Sequence, residues 1–326
     1  MYDLVLSYVK PCMIHCAVEL DIVDHLSKEA MNASKLAEIT NTNADNLHRL
    51  LRGLASIGIL KADENGNFSV TKFGETLKES DTHSLKNTAK LLLFHNFTTM
   101  RNLTHSIKNS GSAFEFTHGK PYYDYLSENA ELEDIFAKTM KEQANISCDQ
   151  ITSAYDFSKF RSIVDVGGGH GSFLRRLLIS NRNVFGTVFD RDYVIQKCEK
   201  SLSDEFGDRC KAISGDFLVS VPDGGDCYLL KHVVLNWTDE KALQILRNIR
   251  QRMNADSKLI IIEALVAENN EPETSKLRDI GMMAITGGIL RTYEQHTKLL
   301  MKAELKLNRL IQIPNCLYDI IEATVL

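Results

Sequence analysis

The stretch Asp165-Val166-Gly167-Gly168-Gly169-His170-Gly171-Ser172 has the clearest chemical content in this chain. It follows a short apolar run and opens a helical pattern, so it reads as a glycine-rich turn between strand and helix, where an open α/β sheet offers backbone N–H groups to a nucleotide. About 20 residues on, Asp190 ends the next apolar run, the place of an acid that accepts from ribose hydroxyls. Asp216-Phe217 ends the third run and can accept from an adenine amine and cover the ring face. A dinucleotide fingerprint asks for glycine at the first, third and sixth positions, but the sixth residue from Gly167 is Ser172. Asp165 is poorly placed beside a pyrophosphate and well suited to a cation. A nucleoside with no phosphate, a sulfonium and an ammonium meets every one of these conditions, and S-adenosylmethionine is such a ligand.

A second chemical stretch is "KHVVLNWTDEK", Lys231 to Lys241, which contains the single tryptophan, Trp237. It reads as the end of a buried strand running into a helix start, the edge of the sheet where ligands gather. Leu235 and Asn236, the residues expected at the crevice, carry no proton at neutral pH. Side chains alternate along an extended strand, so Lys231 and His232 are expected on opposite faces. Arg278-Asp279 is the other charged pair of interest: the arginine can hydrogen-bond a carbonyl and stabilise developing negative charge, or form a helix-surface ion pair with Glu271 or Glu273. His95 and His118 are further candidates for a proton acceptor, although no spacing ties them to the loop.

The elements that must position these groups follow from the pattern. From Ile163, short apolar runs alternate with helical stretches, which predicts an α/β fold with a doubly wound, mostly parallel sheet. The last runs, "LKLNRLIQIP" and "CLYDIIEATVL", lie close together around Pro314, which predicts an antiparallel last strand at the sheet edge. Residues 31–80 read as two short helices and a hairpin turned at Asn65-Gly66, a winged-helix pattern. In its second helix Leu47, Leu50, Leu51, Leu54 and Ile57 recur at helical spacing, and Gly58 ends it. Residues 32–80 hold six Lys/Arg against six Asp/Glu, so the module lacks the surplus cations that phosphates demand. Its expected use is packing against a second copy, with "DLVLSYVKPCMIHCAVELDIVDHL" adding one long amphipathic helix. Residues 82–160 continue as helices with an apolar stripe that includes Phe136, Met140 and Ile146, read from periodicity alone as core or as ligand cavity.

The chain's 326 residues suit two domains or one with a large extension. A formal net charge of −5 provides no field for nucleic acid or anionic membrane. No apolar stretch approaches the roughly 20 residues that span a bilayer. The N-terminus lacks a basic start and breaks its apolar run at Lys10-Pro11, so no signal peptide is expected and the expected location is cytoplasmic. Seven cysteines without framework spacing fit a reducing compartment. Cys12, His15 and Cys16 form the one cluster, with no second ligand pair at zinc-site spacing, and no metal is expected.

Taken in order, these motifs resemble the plant-type and bacterial small-molecule O-methyltransferases, S-adenosylmethionine-dependent class I folds with an N-terminal winged-helix dimerisation domain, and the resemblance covers essentially the whole chain. It implies a dimerisation domain over 1–95, a helical connection contributing to the substrate pocket over 96–155 and a cofactor-binding domain over 156–326. It implies cofactor contacts from Asp165, Gly167, Gly169, Asp190, Asp216, Phe217, Lys231 and Trp237, with Lys231 rather than His232 facing in. It promotes Phe136, Met140, Met282 and Met283 to the substrate pocket, where His95 is a further candidate. Where the family reads His-Asp-Trp this chain has Leu235-Asn236-Trp237, so its general base is missing. The glutamate of the family's "GGKERT", which orients that base, is Leu290 in "GGILRT", while the glutamate ending the fifth strand is kept as Glu263.

The resulting expectation is a homodimeric enzyme that methylates a small aromatic or polyketide-like acceptor through proximity and orientation, with Asn236, Arg278, Asp279 and Glu263 as the groups at the reacting centre. The alternative is a cofactor-binding tailoring enzyme of the same fold that hydroxylates, dehydrates or performs pericyclic chemistry. The adjacent Arg278-Asp279 resembles a pair found in the family's pericyclic branch.

Overall fold

A computed structural model describes residues 1–326. Contacts divide the chain into two units, Met1–Thr98 with Glu131–Ile146, and Thr99–Ala130 with Ser147–Leu326.

In the first unit the N-terminal stretch expected as one helix forms three, Tyr2–Leu6, Val9–Glu19 and Ile22–Leu26. The second break falls at Asp21, whose φ of 50° no right-handed helix can contain. Two further helices, Ala33–Thr40 and Ala44–Ser56, are each capped by an asparagine: Asn32 accepts from the Lys35 N–H and Asn43 from the Asn46 N–H, both at 3.0 Å. The second buries Leu47, Leu51 and Leu54 and is followed by Gly58 at φ 80°. A two-stranded hairpin, β1 Leu60–Ala62 and β2 Phe68–Val70, completes the winged pattern. The stretch after it is less regular than its periodicity predicts: Lys86–Lys90 leads into a π-helical Leu91–Asn96.

The second unit is built on a seven-stranded sheet of β3 Ser162–Val166, β4 Phe185–Asp190, β5 Cys210–Ser214, β6 Cys227–Lys231, β7 Lys258–Glu263, β8 Leu305–Ile311 and β9 Asp319–Val325. Their order is β5-β4-β3-β6-β7-β9-β8, parallel as far as β7 and antiparallel at β9 and β8. The sheet is covered on both faces, and β7 shows how: Ile260 and Ile262 join the core with Leu174, Leu177 and Ile195, while Leu259 and Ile261 join the one with Ile245, Leu246 and Leu300. Fully burying each such side chain contributes about 1.5–3 kcal/mol, and this two-sided burial is why the strands read as unbroken apolar runs rather than alternating ones. Strand order reverses between β3 and β6, which opens a crevice beyond their carboxyl ends, where the glycine turn and Lys231 stand.

Candidate active site

The glycine turn is shaped by backbone conformations that other residues rarely adopt. Gly167, Gly169 and Gly171 have φ of 73°, 58° and 73°. A Cβ on Gly167 would stand 2.8 Å from Val233 Cγ2, whereas one on Gly169 would meet no atom within 4 Å. Gly167 is therefore fixed by packing and Gly169 presents bare backbone to open space, the surface a ligand needs for close approach. The Gly169 N–H donates to Asp190 Oδ2 at 2.8 Å and the Arg191 N–H to Oδ1 at 2.7 Å, so the turn and the end of β4 hold this carboxylate in place. Burial nevertheless pushes Asp190 upward in pKa.

Asp165 lies beneath the turn, 2% exposed. Burial raises its pKa to about 7 against the opposing pull of Lys231. Lys231 is pushed down to about 8 by the same desolvation, with Asp165 acting the other way. A buried carboxyl poised near neutrality lacks a full counter-charge, and a cationic ligand supplies one.

The opposite wall is aromatic. Phe217 meets Trp237 edge to face with centroids 5.8 Å apart, and Tyr123 stacks on Trp237 at 6.1 Å. Tyr123 comes from the Tyr122–Glu128 helix, and the next residue, Asp124, pairs with Arg191 at 2.9 Å. Sequence reasoning missed Tyr123; the aromatic run "PYYDYL" was its only signal. Asp216 is exposed, and its carboxylate accepts from the Leu218 N–H at 2.8 Å, as in a turn.

Beyond β6 the chain does not keep the alternation expected of it. His232 has φ 60°, so the extended backbone ends at Lys231 and both side chains reach Tyr318. The Lys231 ammonium is 5.2 Å from the centroid of the Tyr318 ring, and the His232 ring meets it edge-on at 4.4 Å. Arg278 reaches the same ring at 5.2 Å and donates to the Leu317 carbonyl at 3.3 Å, rather than forming the alternative surface pair with Glu271 or Glu273. Asn236 donates to the His232 carbonyl at 2.6 Å, which commits one of its amide hydrogens within the loop.

Leu235 and Leu290 are both buried in one small cluster with Ala264, against Val266 and Met282. Around this cluster the loop is held by polar groups, of which Glu263, His296 and Arg291 are fully buried. The Leu235 N–H donates to Glu263 Oε2 at 3.1 Å, and Glu263 Oε1 lies 3.0 Å from His296 Nε2, outside hydrogen-bond angles; both residues have no exposed surface. Asp279 accepts from the Leu290 N–H at 2.8 Å, which ties the Thr274–Ile285 helix to the second loop. The Ile289 N–H donates to the Leu235 carbonyl at 2.9 Å, and a Cβ on Gly288 would overlap that carbonyl oxygen. Arg291, 1% exposed, donates to the carbonyls of Val234, Trp237 and Ile289 and to Asp239. Arg291, His296 and Tyr318 were not anticipated; Arg291 stood inside the "GGILRT" motif, and the other two carried no local signal.

Met282 and Met283 lie on the Thr274–Ile285 helix. Phe136 and Met140 fall in the part of the long Ala130–Ala154 helix that belongs to the first unit, as does His95. His118 packs among Phe114 and Tyr125, and burial lowers its pKa.

Family models match twice: an O-methyltransferase domain over residues 100–306 and an O-methyltransferase dimerisation domain over residues 2–80. The chain belongs to the O-methyltransferase family. It is 30% identical to the phenazine O-methyltransferase PhzM of Lysobacter antibioticus over 99% of this chain and 95% of that one. The S-adenosylhomocysteine-bound structure of CalO1, a methyltransferase in calicheamicin biosynthesis, superposes with a TM-score of 0.87 at 28% identity, covering 100% of this chain and 97% of that one. Aclacinomycin 10-hydroxylase RdmB of Streptomyces purpurascens is 29% identical over 92% of this chain and 82% of that one. As an O-methyltransferase family member, the protein is an enzyme that uses S-adenosylmethionine on small-molecule acceptors. The buried Asp165, the bare Gly169 backbone and the Phe217–Trp237 wall fit that cofactor. No helix is long and apolar enough to cross a membrane.

Proposed function

We propose that this O-methyltransferase methylates an already ionised oxygen of a small aromatic or polyketide-like acceptor, by proximity and orientation rather than with a general base. The observation that carries this reading is the buried cluster of Leu235, Leu290 and Ala264. An apolar cluster at the base and orienter positions cannot take a proton, which forgoes a contribution of about 10²- to 10⁴-fold. Orientation alone can supply roughly 7–11 kcal/mol of the barrier. The cofactor, when bound, supplies an electrophilic methyl group on a positively charged sulfur. Asp165, Gly167, Gly169, Asp190, Asp216, Phe217, Lys231 and Trp237 would hold it. Arg278 and the free side of the Asn236 amide orient the acceptor, with Met282 and Met283 as apolar contacts, while Glu263 and Asp279 act on it only through the loop backbones they hold.

The enzyme would work as a cytoplasmic homodimer through its N-terminal domain, with no nucleic-acid partner. The test is incubation with radiolabelled S-adenosylmethionine and a panel of hydroxyaromatic acceptors; label in the acceptor and stoichiometric S-adenosylhomocysteine are expected. Acceptor turnover without that by-product would overturn methyl transfer in favour of a second reading, non-methylating tailoring chemistry. The same apolar cluster and the relative named as a hydroxylase speak for that alternative.

A further inference from the structure

The groups around Tyr318 belong neither to the glycine turn nor to the apolar cluster, yet they adjoin both. Tyr318 is 2% exposed. Lys231 and Arg278 each approach its ring at 5.2 Å, and His232 closes on its edge at 4.4 Å. The imidazole Nε2 is buried and has no hydrogen-bond partner. His232 precedes Leu235 by three residues, and Arg278 precedes Met282 by one helical turn, so the set and the cluster that replaces the base draw on the same loop and the same helix. The acid facing Lys231 is Asp165, which burial leaves at about 7, and Asp279, next to Arg278, is taken up by the Leu290 N–H. The field is positive enough that His232 is held well below its ordinary range, first by burial and then by Lys231 and Arg278.

We propose that Arg278, backed by Lys231, forms an oxyanion-binding site that selects acceptors able to enter as phenolates or enolates. The same two cations that disfavour a proton on His232 disfavour one on a bound hydroxyl, so the acceptor's proton leaves to bulk water before transfer. An oxygen lone pair then forms the new O–C bond while the S–C bonding pair returns to sulfur, giving the methyl ether and neutral S-adenosylhomocysteine. Charge thus does here what proton transfer does elsewhere in the family. This rests on the positioned-transfer reading for the identity of the acceptor, though not for the binding chemistry.

The test uses the full chain saturated with S-adenosylhomocysteine and 4-nitrophenol as probe, whose phenolate band reports ionisation without turnover. Wild type is expected to bind the phenolate about tenfold more tightly than the phenol, as one charge-assisted contact allows. Arg278→Gln should erase that preference, Arg278→Lys should keep part of it, and S-adenosylhomocysteine affinity should stay unchanged in both, which also verifies folding. Equal binding of phenol and phenolate by wild type, or an undiminished preference in Arg278→Gln, would overturn the site. Phenolate preference in an enzyme that never transfers label would leave the site standing and remove the methyl-transfer reading alone.

Discussion

Leu235 and Leu290 lie on different loops and share one buried cluster. Two positions that the family resemblance assigns to a base and its orienter carry an interacting apolar pair here. The replacement is thus a matched one: a lone histidine or glutamate returned to either position would enter a site whose neighbours are Ala264, Val266 and Met282.

Leu235→His alone is expected to cost about 1–3 kcal/mol of stability, the penalty for burying a polar group without a partner. Coupled with Leu290→Glu, that loss should shrink and acceptance should broaden toward less acidic phenols. The measurement is kcat/KM across acceptors of graded acidity, together with urea denaturation midpoints of both variants. A double variant with the wild-type dependence on acidity would contradict the positioning account.

Asp165 sets a pH dependence with a defined sign. Its folded pKa of about 7 exceeds the ordinary carboxylate value of 3.8, so the folded enzyme without cofactor binds more protons in that interval and its stability falls as pH rises from about 4 to about 7. The full displacement corresponds to no more than roughly 4 kcal/mol. Asp165→Asn should flatten that decline in a thermal-denaturation series. In the wild type, cofactor affinity should rise across the same interval as the carboxylate forms, and isothermal titration at several pH values reads it directly.

Gly167 and Gly169 separate stability from binding. Gly167→Ala suffers both a left-handed φ and a Cβ 2.8 Å from Val233, so it should lose stability by about 2 kcal/mol or more. Gly169→Ala bears only the conformational cost of about 1 kcal/mol, because its Cβ projects into open space. It should nevertheless weaken cofactor binding strongly, since that space is where the ligand approaches. Comparable losses of both quantities in both variants would argue against the assignment of the turn.

Removing the buried Arg291 leaves three loop carbonyls without their side-chain donor, while the exposed Asp239 turns to water. Arg291→Met is expected to destabilise the second unit by about 1–3 kcal/mol, the cost of buried carbonyls left without a donor, and to lower kcat more than cofactor affinity, because the loop it holds carries Leu235 through Trp237. Hydrogen exchange of the 233–237 amides should quicken in the same variant.

The parts of this architecture that follow a local rule were legible in advance. Asn65-Gly66 turns a hairpin, Gly58 follows a helix end, and the apolar runs from Ile163 form a sheet buried on both faces. Features that depend on one backbone angle were not. Asp21 divides the N-terminal helix and His232 ends the alternation of β6, each by adopting a positive φ that no composition or period announces. The site divided the same way. Gly167, Gly169 and Asp190 could be placed from a strand–turn–helix pattern, but Tyr123, Tyr318 and His296 come from elements distant in sequence, and only the folded chain brings them near Trp237, Lys231 and Glu263.

The close approach of Gly288 to the Leu235 carbonyl, bridged by the Ile289 N–H, makes the two loops one mechanical piece. Anyone transplanting catalytic residues from a relative into this scaffold would have to move 233–237 and 286–291 as a single cassette. A graft of either segment alone would inherit the other's backbone as an obstacle.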